Sequence, residues 1–135
     1  MADLVITASA FHVVKVVEQD TKPAAAAITA GAAIYEDVNG KWTLARATTA
    51  VLSGRRTALA VKTVAAGETL TGVYKGLVDP RGALDALAFD AQVFLSDTAT
   101  GLLGDVTGTV SKVMGTVTSG WASGATPDKL LLLSG

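Results

Sequence analysis

Two short apolar runs flank a turn in the stretch Ala33-Ile34-Tyr35-Glu36-Asp37-Val38-Asn39-Gly40-Lys41-Trp42-Thr43-Leu44. An Asn-Gly pair between two such runs is the strongest short-range signal for a β-hairpin, because both central residues of a type I′ turn need a positive φ. The stretch therefore predicts a hairpin with a type I′ turn at Asn39-Gly40. Since side chains alternate across a strand, we expect Trp42 to be buried while Lys41 and Thr43 face solvent.

Further runs of β-branched and apolar residues show the same strand pattern on both sides of this hairpin. Turn sequences that contain glycine separate them, so that strands recur at a spacing of roughly 8–12 residues. This spacing predicts an all-β fold, a small jelly-roll-like sandwich or barrel with short strands and few or no helices. The additional strands are expected at Phe11–Val17, Ala58–Val64, Leu70–Tyr74, Gln92–Leu95, Gly108–Thr118 and Leu130–Leu133.

Two segments have some helical character, but neither changes the all-β prediction. Pro23–Ala27 is rich in alanine and too short to nucleate a helix alone, and Asp85–Phe89 has room for one turn. The chain of 135 residues has the length of one domain. We expect a single β domain over residues 1–135, with residues 1–10 as a candidate N-terminal arm.

The composition excludes most kinds of site chemistry. The chain has no cysteine and one histidine, His12, so disulfides, thiolate chemistry and cysteine- or histidine-rich metal sites are excluded. The net charge of −1 provides no basic field to attract nucleic acid or an anionic membrane. The aspartates Asp79, Asp85, Asp90, Asp97 and Asp105 fall in turns, where aspartate is the ordinary residue, although paired acids could also lie among them. We expect no catalytic residue, no metal and no cofactor.

The chain is rich in small side chains and poor in aromatic ones, so we expect it to gain stability by packing against a partner. It has 24 Ala, 17 Thr, 16 Val and 14 Gly against seven aromatic residues. Four features suit such contacts: an apolar start, a basic pair, a tryptophan among small neighbours, and a run of leucines at the C-terminal end. The candidate contact residues are Ala2, Asp3, Leu4, Val5, Ile6, Thr7, Arg55, Arg56, Trp121, Leu131 and Leu133.

The leucine run allows two interpretations. In a strand, Leu131 and Leu133 share one face while Leu130 and Leu132 share the other. One of the two pairs then needs cover from outside a one-layer sheet. Alternatively, the strand is central and the same chain buries it on both faces.

A series of segments follows one order along most of the chain: Met1–Ala8, Ile28–Tyr35 running into Asn39–Ala45, Ala58–Val61 followed by Ala65–Leu70, Val93–Thr98 and Val113–Val117. Together they resemble the small head decoration (cement) proteins of tailed bacteriophages. The segment Phe11–Lys22 departs from that family's pattern, because it is both more apolar and more charged.

The resemblance implies a non-enzymatic virion protein that is made in the host cytoplasm and decorates the outer surface of an icosahedral capsid. Its expected partners are the major capsid protein of a phage head and further copies of itself, as a homodimer or homotrimer. Neither nucleic acid nor a membrane is an expected partner. The alternatives are a β-sandwich ligand-binding module, for example for carbohydrate, and a small hydrolase.

Overall fold

A computed structural model describes residues 4, 6, 8–45, 56–80, 83–84, 87–96, 103–104, 113–122 and 127–134. Nine strands in these residues form one antiparallel sheet that curls into a half-barrel, so the all-β prediction is confirmed. A 3-10 turn at Ala8–Ala10 precedes the strands. The strands are β1 (His12–Pro23), β2 (Ala33–Glu36), β3 (Trp42–Leu44), β4 (Thr57–Ala60), β5 (Thr69–Asp79), β6 (Gln92–Leu95), β7 (Leu103–Gly104), β8 (Val113–Ala122) and β9 (Pro127–Ser134).

The hairpin of β2 and β3 forms as predicted, but its turn is of another type. Gly40 has a φ of 74°, whereas Asn39 has no positive φ, so the type I′ prediction is wrong. The Gly40 amide donates to the Asp37 carbonyl oxygen at 3.1 Å. The Asp37 carboxylate also accepts hydrogen bonds from the amides of Asn39 (2.8 Å) and Lys41 (3.0 Å). These bonds favour a longer loop with one left-handed glycine, because the aspartate side chain supplies the partners that a tight turn would otherwise need.

The sheet has the strand order β3-β2-β4-β5-β9-β8-β6-β7, and β1 pairs with β5 outside this path. Along one edge of β5, Gly72 and Val73 pair with β4, and the segment 75–78 pairs with β9. The other edge of β5 pairs with β1 from Thr69 to Asp79. Strand β1 therefore lies beside the middle strand of the sheet and has one edge turned away from it.

Both faces of the central strands are covered. In β4, Leu59 belongs to the larger core cluster, while its neighbours Ala58 and Ala60 belong to a smaller one on the opposite face. Trp42 is fully buried in the smaller cluster, which confirms its predicted burial. Burial on two faces explains why so many of the core residues are small: the curled sheet leaves little room between its layers.

The strand positions agree with the sequence predictions better than the strand lengths do. Strands β1, β5 and β8 have 12, 11 and 10 residues, so they are longer than the predicted short strands. Strand β4 ends at Ala60, and Val64, which was expected within it, forms a separate bridge with Ile28 and packs in the smaller core cluster. The alanine-rich segment after Pro23 forms no helix, because the amides of Ala24 and Ala25 bond to Glu68 and Trp42 instead.

Candidate interaction surface

Part of the predicted N-terminal arm lies on the chain's own domain. Leu4 and Ile6 both pack against the larger core cluster, and the Leu4 amide donates to the Leu103 carbonyl oxygen at 2.8 Å. The Ile6 side chain covers Gly31, where an added Cβ would come within 2.8 Å of Ile6 Cγ2. These residues border a cavity of about 40 Å³ whose remaining wall is the segment 29–32. Ala2, Asp3, Val5 and Thr7 lie outside the described residues.

The C-terminal leucines divide between core and surface in a way that corrects their predicted role. Leu131 and Leu133 are buried in the larger core cluster, whereas Leu132 between them is 45% exposed. Because the sheet curls, this chain itself covers the face that was expected to need a partner. Leu131 and Leu133 are thus core residues, and Leu132 is the leucine that a partner can reach.

Arg56 is already engaged within the chain. Its guanidinium forms an ion pair with Glu18 on β1 and lies 4.0 Å from the centroid of the Tyr74 ring. An exposed ion pair contributes little stability, but the stacking over Tyr74 fixes the direction of the side chain. Arg55 lies outside the described residues, and of Trp121 only the backbone, within β8, is described.

The most exposed group of aliphatic side chains lies on β1. Val14, Val16 and Val17 are 55%, 41% and 65% exposed, and we call these three residues the valine strip. Val14 and Val17 have no partner on β5, because the register shifts at both positions. Each shift is a β-bulge, which adds one residue to the strand and turns its side chain outward. The valine strip was not among the predicted contacts.

The sequence does carry a signal for the valine strip. The run Val13-Val14-Lys15-Val16-Val17 has two adjacent pairs of valines and therefore does not alternate as a half-buried strand should. A strand with such a run is either buried on both faces or interrupted by bulges. Lys15 in the middle of the run argues against burial on both faces, because lysine is seldom fully buried. The run therefore indicates a strand that is interrupted by bulges.

Strand β1, which carries the valine strip, has one edge that faces away from β5. Among the described strands, β1 pairs only with β5. Just beyond the end of β1, the Ala25 amide donates to the Trp42 carbonyl oxygen at 2.9 Å, so β3 approaches there. Along the N-terminal two thirds of β1, where the valines lie, no described residue bonds to this edge.

Charged groups fix the far end of β1 to the β2–β3 hairpin. The Lys22 ammonium pairs with Asp20 and, at 3.3 Å, with Glu36, and it lies 5.4 Å from the centroid of the Trp42 ring. The hydrogen bond between Asp20 and Lys22 lowers the pKa of Asp20 and raises the pKa of Lys22. This cluster is an anchor for the strand, since each of its charges has a partner within the chain.

The described part of the chain contains no group of three or more His, Asp or Glu side chains that could hold a metal ion. His12 is exposed on β1, and apolar groups line most of the small cavity beside Leu4.

Among the described aromatic side chains, Phe89 is the exposed one. The Lys129 ammonium lies 5.5 Å from its ring centroid. Trp42 and Tyr74 are buried against one another, with ring centroids 5.9 Å apart.

In the described part of the chain, no helix has the length and apolar character needed to span a membrane. Comparison with known proteins gives no relative: no protein-family model, no curated protein and no solved structure matches this chain.

Proposed function

We propose that this protein is a structural component of a tailed-phage virion that binds the outside of the icosahedral head and cements neighbouring major capsid subunits. It acts without catalysis or a cofactor and is made in the host cytoplasm before it joins the capsid surface. The ordered resemblance of its segments to head decoration proteins supports this proposal, as does the all-β fold.

The observation that carries the proposal is the kind of surface that the chain exposes. The valine strip on β1 presents three aliphatic side chains to solvent, and Leu132 on β9 presents another, with β5 between the two strands. Adjacent exposed aliphatic groups such as those of the valine strip indicate contact with another protein, because they are costly to leave in water. Among the described residues, the cavity beside Leu4 is too small for a metabolite, at about 40 Å³.

The physical demands of cementing fit a protein of this composition. A capsid presents the same site many times, so weak contacts that repeat over the lattice sum to strong attachment. Binding to the folded form also stabilises a core of small side chains by mass action. A net charge of −1 limits competition from the packaged DNA, which attracts basic proteins.

A decoration assay tests this function. Purified protein is mixed with undecorated heads built from the coat protein of the same phage genome, and the heads are sedimented. We expect saturable binding at a fixed ratio to the coat subunits and a higher rupture temperature of the decorated heads. Protein that stays in the supernatant at saturating concentration would show that the proposal is wrong.

Leu132 provides a site-specific version of the assay. Leu132→Asp places a charge on the exposed part of β9 and is expected to lower head occupancy, because charged groups are depleted at the centre of interfaces. Val38→Asp is the matched control, since Val38 is exposed at the tip of the β2–β3 hairpin and lies outside this surface. Equal occupancy for both variants would remove Leu132 from the coat contact.

A further inference from the structure

We infer that a second copy of this chain pairs with the free edge of β1, antiparallel and about a two-fold axis that lies between Val16 and Val17. The inference rests on the proposed function in one respect, because it names the surface by which two copies of the decoration protein meet. Its evidence is independent of the coat: the unpaired edge, the exposure of the valine strip and the order of charges along β1.

The first step is the geometry of the edge. Strand β5 uses both of its edges, one for β1 and the other for β4 and β9. Strand β1 uses one edge among the described strands, and no described residue pairs with its other edge between His12 and Gln19. A long edge strand with exposed aliphatic side chains is a site where another strand adds.

The second step is the placement of charge on β1. Lys15 pairs with Leu77 of β5, and Glu18 pairs with Lys75. Leu77 and Lys75 are two residues apart on β5 and therefore share a face of the sheet. Their partners Lys15 and Glu18 lie on that same face, although they are three residues apart on β1. The bulge at Val17 accounts for this, because it adds one residue between the two charged positions.

The third step is the register. With the two-fold axis between Val16 and Val17, each Lys15 lies opposite Glu18 of the second copy, and the symmetry makes this contact twice. Each Val16 then lies opposite Val17 of the second copy. An axis at Lys15 or at Glu18 would instead set two like charges against each other, which is unfavourable in directly opposite positions. Only this register sets Lys15 directly opposite Glu18, and in it β1 is complementary to itself.

The ion pair with Arg56 is compatible with this contact. The Glu18 side chain keeps 44% of its surface exposed beside Arg56. A carboxylate has two oxygens and accepts several hydrogen bonds, so Glu18 can hold Arg56 and still receive Lys15 of the second copy.

The bulges set the extent of the pairing. The register of β1 with β5 shifts at Val14, at Val17 and after Glu18. We expect these irregularities to keep the backbone ladder between the two copies short. Side-chain contacts of the valine strip therefore supply most of the affinity, and the twisted edge excludes longer stacks of strands. Because a two-fold contact uses the same edge in both copies, the assembly closes at two chains.

Self-pairing also explains why coat protein is a poorer occupant of this edge. In β1, Val16 and Val17 lie between the positive Lys15 and the negative Glu18. This order of residues is complementary to a second copy of β1 that runs antiparallel to it. A different partner would need the same order of charges by coincidence. The coat contact is thus assigned to other surfaces, with the exposed Leu132 as a candidate residue.

The test measures the mass of the isolated protein by sedimentation velocity over a range of concentrations. We expect a dimer for the unmodified chain. Lys15→Glu and Glu18→Lys should each weaken dimerisation by about a hundredfold, because each creates two like-charge contacts that cost roughly tenfold each. An equimolar mixture of the two variants should regain a heterodimer, since both contacts then join opposite charges.

Two control variants separate pairing from other effects. Lys41→Glu changes an exposed lysine of the β2–β3 turn by the same charge and should leave the dimer intact. Arg56→Gln removes the internal ion pair and should also leave it intact, so that the effect of Glu18→Lys is assigned to the contact between copies. Circular dichroism confirms that every variant keeps its strands.

The outcomes distinguish the inference from the proposed function. A monomer or a trimer of the unmodified chain overturns the inference, as does a mixture of the variants that stays monomeric. A monomer that still decorates heads overturns the pairing alone. A dimer that pairs as described but does not bind heads overturns the decoration function and leaves the pairing established.

Discussion

The indole ring of Trp42 lies directly against Gly72, so that an added Cβ at Gly72 would come within 2.9 Å of the ring carbon Cζ2. The two residues belong to β3 and β5, which are separated by β2 and β4 in the sheet. The Trp42 indole nitrogen also donates to the Leu70 carbonyl oxygen at 2.7 Å. The tryptophan therefore holds the curl of this half of the sheet, and the missing side chain at Gly72 makes room for it.

Gly72→Ala should destabilise the fold by about 1–3 kcal/mol, because a buried aromatic ring cannot shift easily in a close-packed core. Equilibrium unfolding in urea gives this free energy. The same substitution in a Trp42→Leu background is the control. Its cost there should be smaller, since the two ring carbons that the new methyl group meets are gone and Ala58 Cβ, at 3.1 Å, is the close neighbour that remains. If Gly72→Ala lowers the unfolding free energy equally in both backgrounds, the contact with the indole is not the reason why this position requires glycine.

Residues 33–44 show how much of this arrangement could be predicted from the sequence. The alternation around Trp42 correctly places the indole in the core, because a period of two allows only one buried set. The contact with Gly72 could not be predicted. It depends on how far the sheet curls, which is set by pairing between strands distant in sequence.

The leucines of β9 give a paired prediction on adjacent residues. Leu131 is fully buried and Leu132 is 45% exposed, so their truncations remove the same atoms from different surroundings. Leu131→Ala should cost about 2–5 kcal/mol of unfolding free energy, the usual range for a buried leucine. Leu132→Ala should cost less than about 1 kcal/mol, because its side chain loses little buried area. Thermal and urea unfolding of both variants check this difference, and similar costs would contradict the assigned faces.

The role of the leucine run illustrates a limit of sequence reasoning. Four consecutive leucines indicate that both faces of β9 are apolar, but they do not indicate which part of the protein covers each face. In the structure, β5 and β8 flank the strand and the curl of the sheet covers Leu131 and Leu133. The run of valines in β1 signals bulges, but the sequence does not show that Val14 and Val17 are the bulged residues, because that depends on the register with β5.

The Asp37 carboxylate predicts an acid-sensitive hairpin. Hydrogen bonds from the backbone amides of Lys41 and Asn39 hold the pKa of Asp37 below its usual value, and Thr43 adds a further bond at 3.1 Å. A lowered pKa in the folded state means that the stabilisation is present above the unfolded pKa of about 4 and is lost as the pH falls through the folded pKa.

The unfolding free energies of the protein and of Asp37→Asn at pH 7 and pH 3 test this stabilisation. We expect the variant to be less stable at pH 7, and the difference should shrink at pH 3. A difference that is the same at both pH values would remove the charge as its cause.

The N-terminal arm gives a prediction that separates attachment from stability. Deletion of residues 1–7 removes Leu4 and Ile6 from the core and should lower the unfolding free energy by about 1–3 kcal/mol, as expected for two half-buried side chains. The rest of the sheet does not depend on these residues for strand pairing, so the truncated chain should stay folded.

On phage heads, we expect the deletion to reduce occupancy, because the arm is the part of the chain that can move from its own domain to a neighbour at least cost. The double variant Leu4→Ala with Ile6→Ala is the control for stability, since it loses the same packing but keeps the backbone of the arm. Occupancy is measured well below the unfolding temperature of both proteins. If the truncated protein decorates heads as fully as the complete chain, the arm has no part in attachment and serves only to cover the core beside Gly31.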